Sequence, residues 1–249
     1  MNEKTEPFFI GWAAPPAALR PFLISFAISA LAFAAILGWL VAATQPDPGD
    51  GAFRGPTEVV GTLVLDPYPV VHVEQSEGFD PGDALILSGP GKIGVRERSA
   101  AFDGQRVTVR GARLLRGDLT GLQLRGNASG LEAAEGPVVP VPVEDLGRWR
   151  LTGEICDGKC LMGAMRPGTG LAHRACANLC IAGGVPPVFV STAPAAGAEF
   201  FLMAGPDGGP VPEDVFRHTA LLVEVEGHLE RHGTLAVFRL DPETLRLAQ

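Results

Sequence analysis

Clustered positive charge is the first thing this sequence lacks. Its 20 Lys and Arg are scattered among 28 Asp and Glu, for a net charge of -8, and no basic run or basic-aromatic stripe occurs. Neutralising phosphates requires clustered Lys and Arg, so no nucleic-acid partner is expected. Cysteine is absent everywhere except between residues 156 and 180, where all four fall. That distribution excludes a dispersed disulfide scaffold and indicates one local site. The chain has no G-x-S-x-G elbow, no H-E-x-x-H and no C-x2-C-H, which removes the corresponding hydrolase, metalloprotease and covalent haem readings. "SGPGKIG" around Lys92 lacks the G-x4-G-K-[ST] of a phosphate loop and reads as a glycine turn between strand and helix.

Charge is also missing from residues 22–43, "FLISFAISALAFAAILGWLVAA". At about 1.5 Å per residue this run crosses a hydrocarbon core of about 30 Å. Its uncharged length exceeds the h-region of a signal peptide, so an uncleaved transmembrane helix is expected. Lys4 and Arg20 precede it and "TQPDPGDG" follows, which orients the short N-terminus to the cytoplasm. In a bacterium the protein would then be a single-pass inner-membrane protein with its C-terminal domains in the periplasm, where disulfides are permitted.

What remains is rich in turn residues, 32 Gly and 22 Pro, which punctuate short apolar runs: a mainly β chain. "EVVGTLVLD", "PVVHVE", "DALILSG", "QRVTVRGARLLRG" and "LTGLQLRG" read as strands, with "VRERSAAFDG" as a helical turn after the third. The pattern recurs after "EGPVVPVPVEDLG". Val107-x-Val109-x-Gly111 followed by Gly117 has the spacing of Val223-x-Val225-x-Gly227 followed by Gly233. Three strands, a short helix and two strands is the order of an OB barrel. The expected division is a cytoplasmic N-terminus 1–21, a membrane helix 22–43, a linker 44–56, a first OB-like domain 57–135, a Pro-rich linker 136–147 and a second OB-like domain 148–249 carrying a Cys/His insertion 156–187. His72, His218, His228 and His232 are expected to be solvated or turn residues, with His72 on the outer barrel surface.

The insertion reads C-x3-C-x12-H-x2-C-x3-C, with Cys156, Cys160, His173, Cys176 and Cys180 as its candidate ligands. "LAHRACANLCIAGG" predicts a short helix closed by glycine, which would put His173, Cys176 and Cys180 on one face. Three readings stay open. Four thiols in an oxidising space form two disulfides, each worth about 2–4 kcal/mol. Cys and His ligands hold zinc, or copper with help from Met162 and Met165. Cys176 and Cys180 beside His173 could instead cycle as a redox pair.

The run "TGEICDGKCLMGAM" with "HRACANLCIAGGVPP" resembles an uncharacterised family of exported or membrane-anchored bacterial proteins that share G-x-[IV]-x-D-x-x-C, H-x-x-C-A-x-x-C and G-x-P. Gly153, Asp157, Cys160, His173, Cys176, Ala177, Cys180, Gly184 and Pro186 match. The resemblance implies a common site of Cys160, His173, Cys176 and Cys180, with Cys156 an extra. No catalytic set is visible outside this window. The expected role is therefore an accessory or assembly protein of a membrane complex, anchored beside an integral-membrane or periplasmic partner. The alternative is an enzyme or carrier, a thiol oxidoreductase or metal-delivery protein using Cys176, Cys180 and His173.

Overall fold

The computed structural model describes residues 16–44 and 51–248, and the chain divides into two compact units, 1–47 and 48–249. Residues 1–15 of the expected cytoplasmic segment and 45–50 of the first linker lie outside the described residues. In the first unit a 3-10 turn, Ala17–Leu19, leads into α1, Arg20–Thr44, and none of their residues is buried. A helix apolar on every side needs a bilayer or a large core to cover it. Ala17–Thr44 is long and apolar enough to cross a membrane, a property that a signal sequence shares.

The second unit contains two barrels of identical topology. The first is built from β1 (Ala52–Val64), β2 (Val70–Ser76), β3 (Ala84–Ser88), a short helix α2 (Arg96–Ser99), β4 (Arg106–Arg116) and β5 (Leu119–Leu124), with β6 (Leu131–Ala133) added beside β4. The second uses β7 (Val143–Asp157), β8 (Pro187–Ala195), β9 (Ala198–Ala204), a 3-10 turn Glu213–His218, β10 (Leu222–His232) and β11 (Leu235–Leu240), with β12 (Arg246–Leu247) beside β10. Each ring runs first-second-third-fifth-fourth and closes where the fourth strand returns to the first. The third and fifth strands pair in parallel in both, Leu85 opposite Thr120 and Leu202 opposite Val237. This is the OB arrangement expected from the sequence.

Alternation explains the cores. On β4 Val107, Val109 and Gly111 face inward, and on β10 Val223, Val225 and Gly227 do the same. The repeated glycines serve close approach: a Cβ on Gly111 would lie 2.1 Å from the Gln123 carbonyl oxygen, and one on Gly227 2.5 Å from that of Arg239. The chain can therefore bend around a small barrel there. Phe189, Phe201 and Phe238 fill the second core with centroid spacings of 5.8 and 6.5 Å, each ring contributing about 2–3 kcal/mol by leaving water.

Both first strands start earlier than expected, β1 at Ala52 and β7 at Val143. Their leading halves carry Pro, Gly and charge because they are exposed ribbons paired only with the end of the fourth strand. Ala52 lies opposite Leu115 and Val143 opposite His232, with Pro56 beside a bulge. Nor does the Pro-rich segment hold the barrels apart. The Val139 carbonyl accepts from Thr62 and the Pro142 carbonyl from Gly233 N. Tyr68, Val70, Ile86, Leu114 and Leu119 on the first barrel join the apolar cluster of the second.

Candidate metal centre

The insertion leaves the second barrel at Asp157 and returns at Pro187. Asp157, fully buried at the end of β7, accepts through Oδ1 from the Cys160 backbone N–H at 2.8 Å, which turns the chain into a single helical turn over Cys160–Ala164. A second segment brings α3, Arg174–Ala182, back across it. Gly184 closes α3 in the left-handed region at φ 89°, as the glycine pair suggested.

Here Cys160, Cys176 and Cys180 place their sulfurs within 4.8 Å of one another. Cys160 Sγ and Cys176 Sγ are 4.0 Å apart, well beyond the roughly 2.05 Å of a disulfide. All four cysteines are free thiols, so the two structural disulfides are not formed. Cys160 and Cys180 are buried, and Cys176 is the partly exposed member. Met165 Sδ lies 3.5 Å from Cys176 Sγ, whereas Met162 turns away and packs its methyl against Gly121 of the first barrel.

His173 is buried one turn ahead of Cys176. Its Nε2 lies 2.8 Å from Asp157 Oδ2, and in the neutral tautomer that donates to this carboxylate Nδ1 is the ring acceptor. His173, Asp157 and Cys160 form a second group of ligand atoms within 4.8 Å, so Cys160 belongs to both groups. A carboxylate that orients a histidine is the usual outer partner of a metal-binding imidazole. The site is thus a cluster of three cysteines and one histidine that could hold a metal ion.

Cys156 belongs to neither group. Successive strand residues face opposite sides, so Cys156 shares the face of Glu154, not that of Asp157. Its thiol donates to Glu154 Oε1 at 2.6 Å, and the same carboxylate accepts from Gly170 N at 2.8 Å. Burial, reinforced by Glu154, pushes this thiol well above its ordinary pKa. Its role here is to anchor the insertion.

Two lysines complete the site, and sequence reasoning missed both. Lys159, also buried, donates to the Gly89 and Gly91 carbonyls of the first barrel at 2.7 Å each. Lys92 Nζ approaches Cys176 Sγ to 2.6 Å and Cys180 Sγ to 3.9 Å. The loop carrying Lys92 is the "SGPGKIG" turn, seated on the end of α3. Gly94 N donates to the Gly183 carbonyl at 2.8 Å, and a Cβ on either Gly94 or Gly183 would lie 1.9 Å from a facing carbonyl oxygen. The glycine content of both stretches was the available signal, although it read as turn chemistry alone.

Burial and neighbouring negative groups set the thiol electrostatics. Burial, then Asp157 and the neighbouring thiols, raise the Cys160 pKa, and burial with Asp157 pushes Cys180 up to about 11. Ionisation of these thiols is therefore disfavoured unless a positive charge or a proton acceptor compensates it. The hydrogen bond to Cys176 raises Lys92, while burial lowers Lys159.

The other histidines divide. His228 contacts Asp145 at 2.6 Å and His232 contacts Glu230 at 2.9 Å, both partly exposed. His72 does not face solvent as expected: it is buried beside Gly233 of the second barrel, with Nδ1 lacking a hydrogen-bond partner. Closure of the two barrels on each other covers the face that an isolated barrel would expose. No protein-family model, curated protein or solved structure matches the chain.

Proposed function

We propose that this chain is an exported, single-pass membrane protein whose three-thiol site binds a soft metal ion, and that it acts as an accessory or assembly protein of a periplasmic-facing membrane complex. The observation that carries the metal assignment is the convergence of Cys160, Cys176 and Cys180, unpaired and within 4.8 Å of one another. Three thiolates with a nearby imidazole suit zinc. The thioether of Met165 beside Cys176 adds a soft donor that suits Cu(I). The apolar helix supports the anchor, and the resemblance to the exported bacterial family supports the compartment.

Element-specific metal analysis tests this on full-length protein taken from membranes in mild detergent, without chelator and under reducing conditions. One equivalent of copper or zinc per chain is expected, lost in Cys180→Ser. A reduced, folded protein that neither carries nor takes up either metal would overturn the assignment. An accessory role further requires co-purification with a membrane partner, and isolation as a solitary monomer would remove it.

A further inference from the structure

Three features of the same thiols point beyond metal binding: unequal exposure, one short sulfur–sulfur separation and one cation contact. Cys176 alone of the three is open to solvent, its sulfur touches Lys92 Nζ at 2.6 Å, and the buried Cys160 Sγ stands 4.0 Å behind it. From these we infer that the metal-free protein carries out thiol–disulfide exchange, with Cys176 as attacking sulfur and Cys160 as resolving sulfur. The substrate class is a solvent-accessible disulfide.

Cys180 is the obvious partner by sequence, but it fits poorly. Residues four apart on a helix hold their Cβ atoms about 5–6 Å apart, whereas a disulfide requires about 3.5–4.5 Å. Cys176 and Cys180 are both on α3, so their pairing would unwind it. Cys160 comes from a separate one-turn segment and can close on Cys176 by side-chain rotation with a small local shift. An ammonium in contact with sulfur supports the negative charge that the attacking atom carries, and Lys92 supplies it.

The Cys176 thiolate attacks one sulfur of the substrate disulfide, forming a mixed disulfide and expelling the other sulfur as thiolate. Cys160 attacks Cys176 Sγ as its proton passes to the departing substrate sulfur, forming the Cys160–Cys176 disulfide, breaking the mixed disulfide and releasing the second substrate sulfur as thiol. The protein dithiol is oxidised by two electrons and the substrate disulfide is reduced by the same two.

Reduced, metal-stripped full-length protein in detergent is treated with oxidised glutathione, quenched with acid, and mapped by peptide mass spectrometry. The wild type should form a Cys160–Cys176 disulfide without retaining glutathione. Cys160→Ser should retain one glutathione on Cys176, Cys176→Ser should react at neither position, and Lys92→Met should slow the first step several-fold. The wild-type map alone reports the pairing, so a misfolded variant leaves the inference testable. A Cys176–Cys180 linkage, or no reaction of Cys176, overturns it. Metal uptake by the reduced protein is a separate readout, so either proposal can fail while the other stands.

Discussion

Lys92 Nζ lies 2.6 Å from Cys176 Sγ although 84 residues separate them in the chain. One residue comes from a glycine turn of the first barrel and the other from the insertion of the second. This contact therefore exists only because the barrels pack on each other, whereas the thiols themselves all come from the insertion, so barrel packing and site chemistry can be perturbed separately.

Lys92→Met removes the charge and keeps most of the stem. Outer partners of metal ligands typically contribute about 10- to 100-fold in affinity, and a loss in that range is expected by chelator competition. The side chain is exposed, so the thermal midpoint of the metal-free protein should not move. A fall in that midpoint with unchanged metal affinity would assign Lys92 to packing instead.

Gly94→Ala tests the seat of the loop on α3. Its Cβ would enter the space of the Gly184 carbonyl oxygen at 1.9 Å, and overpacking of this kind costs about 1–3 kcal/mol. Both denaturant stability and metal affinity should drop, because Lys92 is displaced with the loop. Gly91→Ala is a useful control, because no atom lies within 4 Å of its added Cβ, although its φ of 68° carries local backbone strain of its own.

Cys156→Ala separates anchoring from ligation. It leaves the buried side of Glu154 without its thiol donor, a loss of about 1–3 kcal/mol. Metal stoichiometry should remain that of the wild type. Loss of metal in this variant, with the fold intact by circular dichroism, would return Cys156 to the ligand set.

His72 predicts an acid limb to the stability curve. Burial, with a smaller effect from His232, lowers its pKa from 6.5 to about 4. The folded state thus disfavours the protonated ring. The contribution is complete above pH 6.5 and is lost as pH falls from there towards 4, where the unfolded chain takes up the proton first. The full difference is about 3 kcal/mol. Denaturant melts of wild type and His72→Gln should converge across that window, and parallel curves would assign the acid limb to other groups.

The anchor is tested by intact mass of membrane-bound protein. Retention of residues 22–43, with resistance to alkaline extraction, is expected. A mature chain that begins after Ala43 would make the helix a signal sequence.

Much was decided locally. Alternating Val and Leu with glycine at fixed offsets specifies inward-facing strand residues and the places where a small barrel must bend, so two OB-like barrels were legible from Val107, Gly111, Val223 and Gly227. The short helix carrying Cys176 and Cys180, and its glycine end, were likewise local matters of propensity and capping. Packing decided the rest. Strand polarity along β7 sent Cys156 towards Glu154 and Asp157 towards His173, a difference of one residue that ligand spacing does not resolve. Docking of the barrels buried His72, brought Lys92 to the insertion and gave the insertion's Lys159 the Gly89 and Gly91 carbonyls as partners, because backbone contacts such as Gly94 with Gly183 depend on surfaces nearly ninety residues apart. Residue types and spacings encode which elements form; which side chains meet across two barrels is settled by how those elements close on each other.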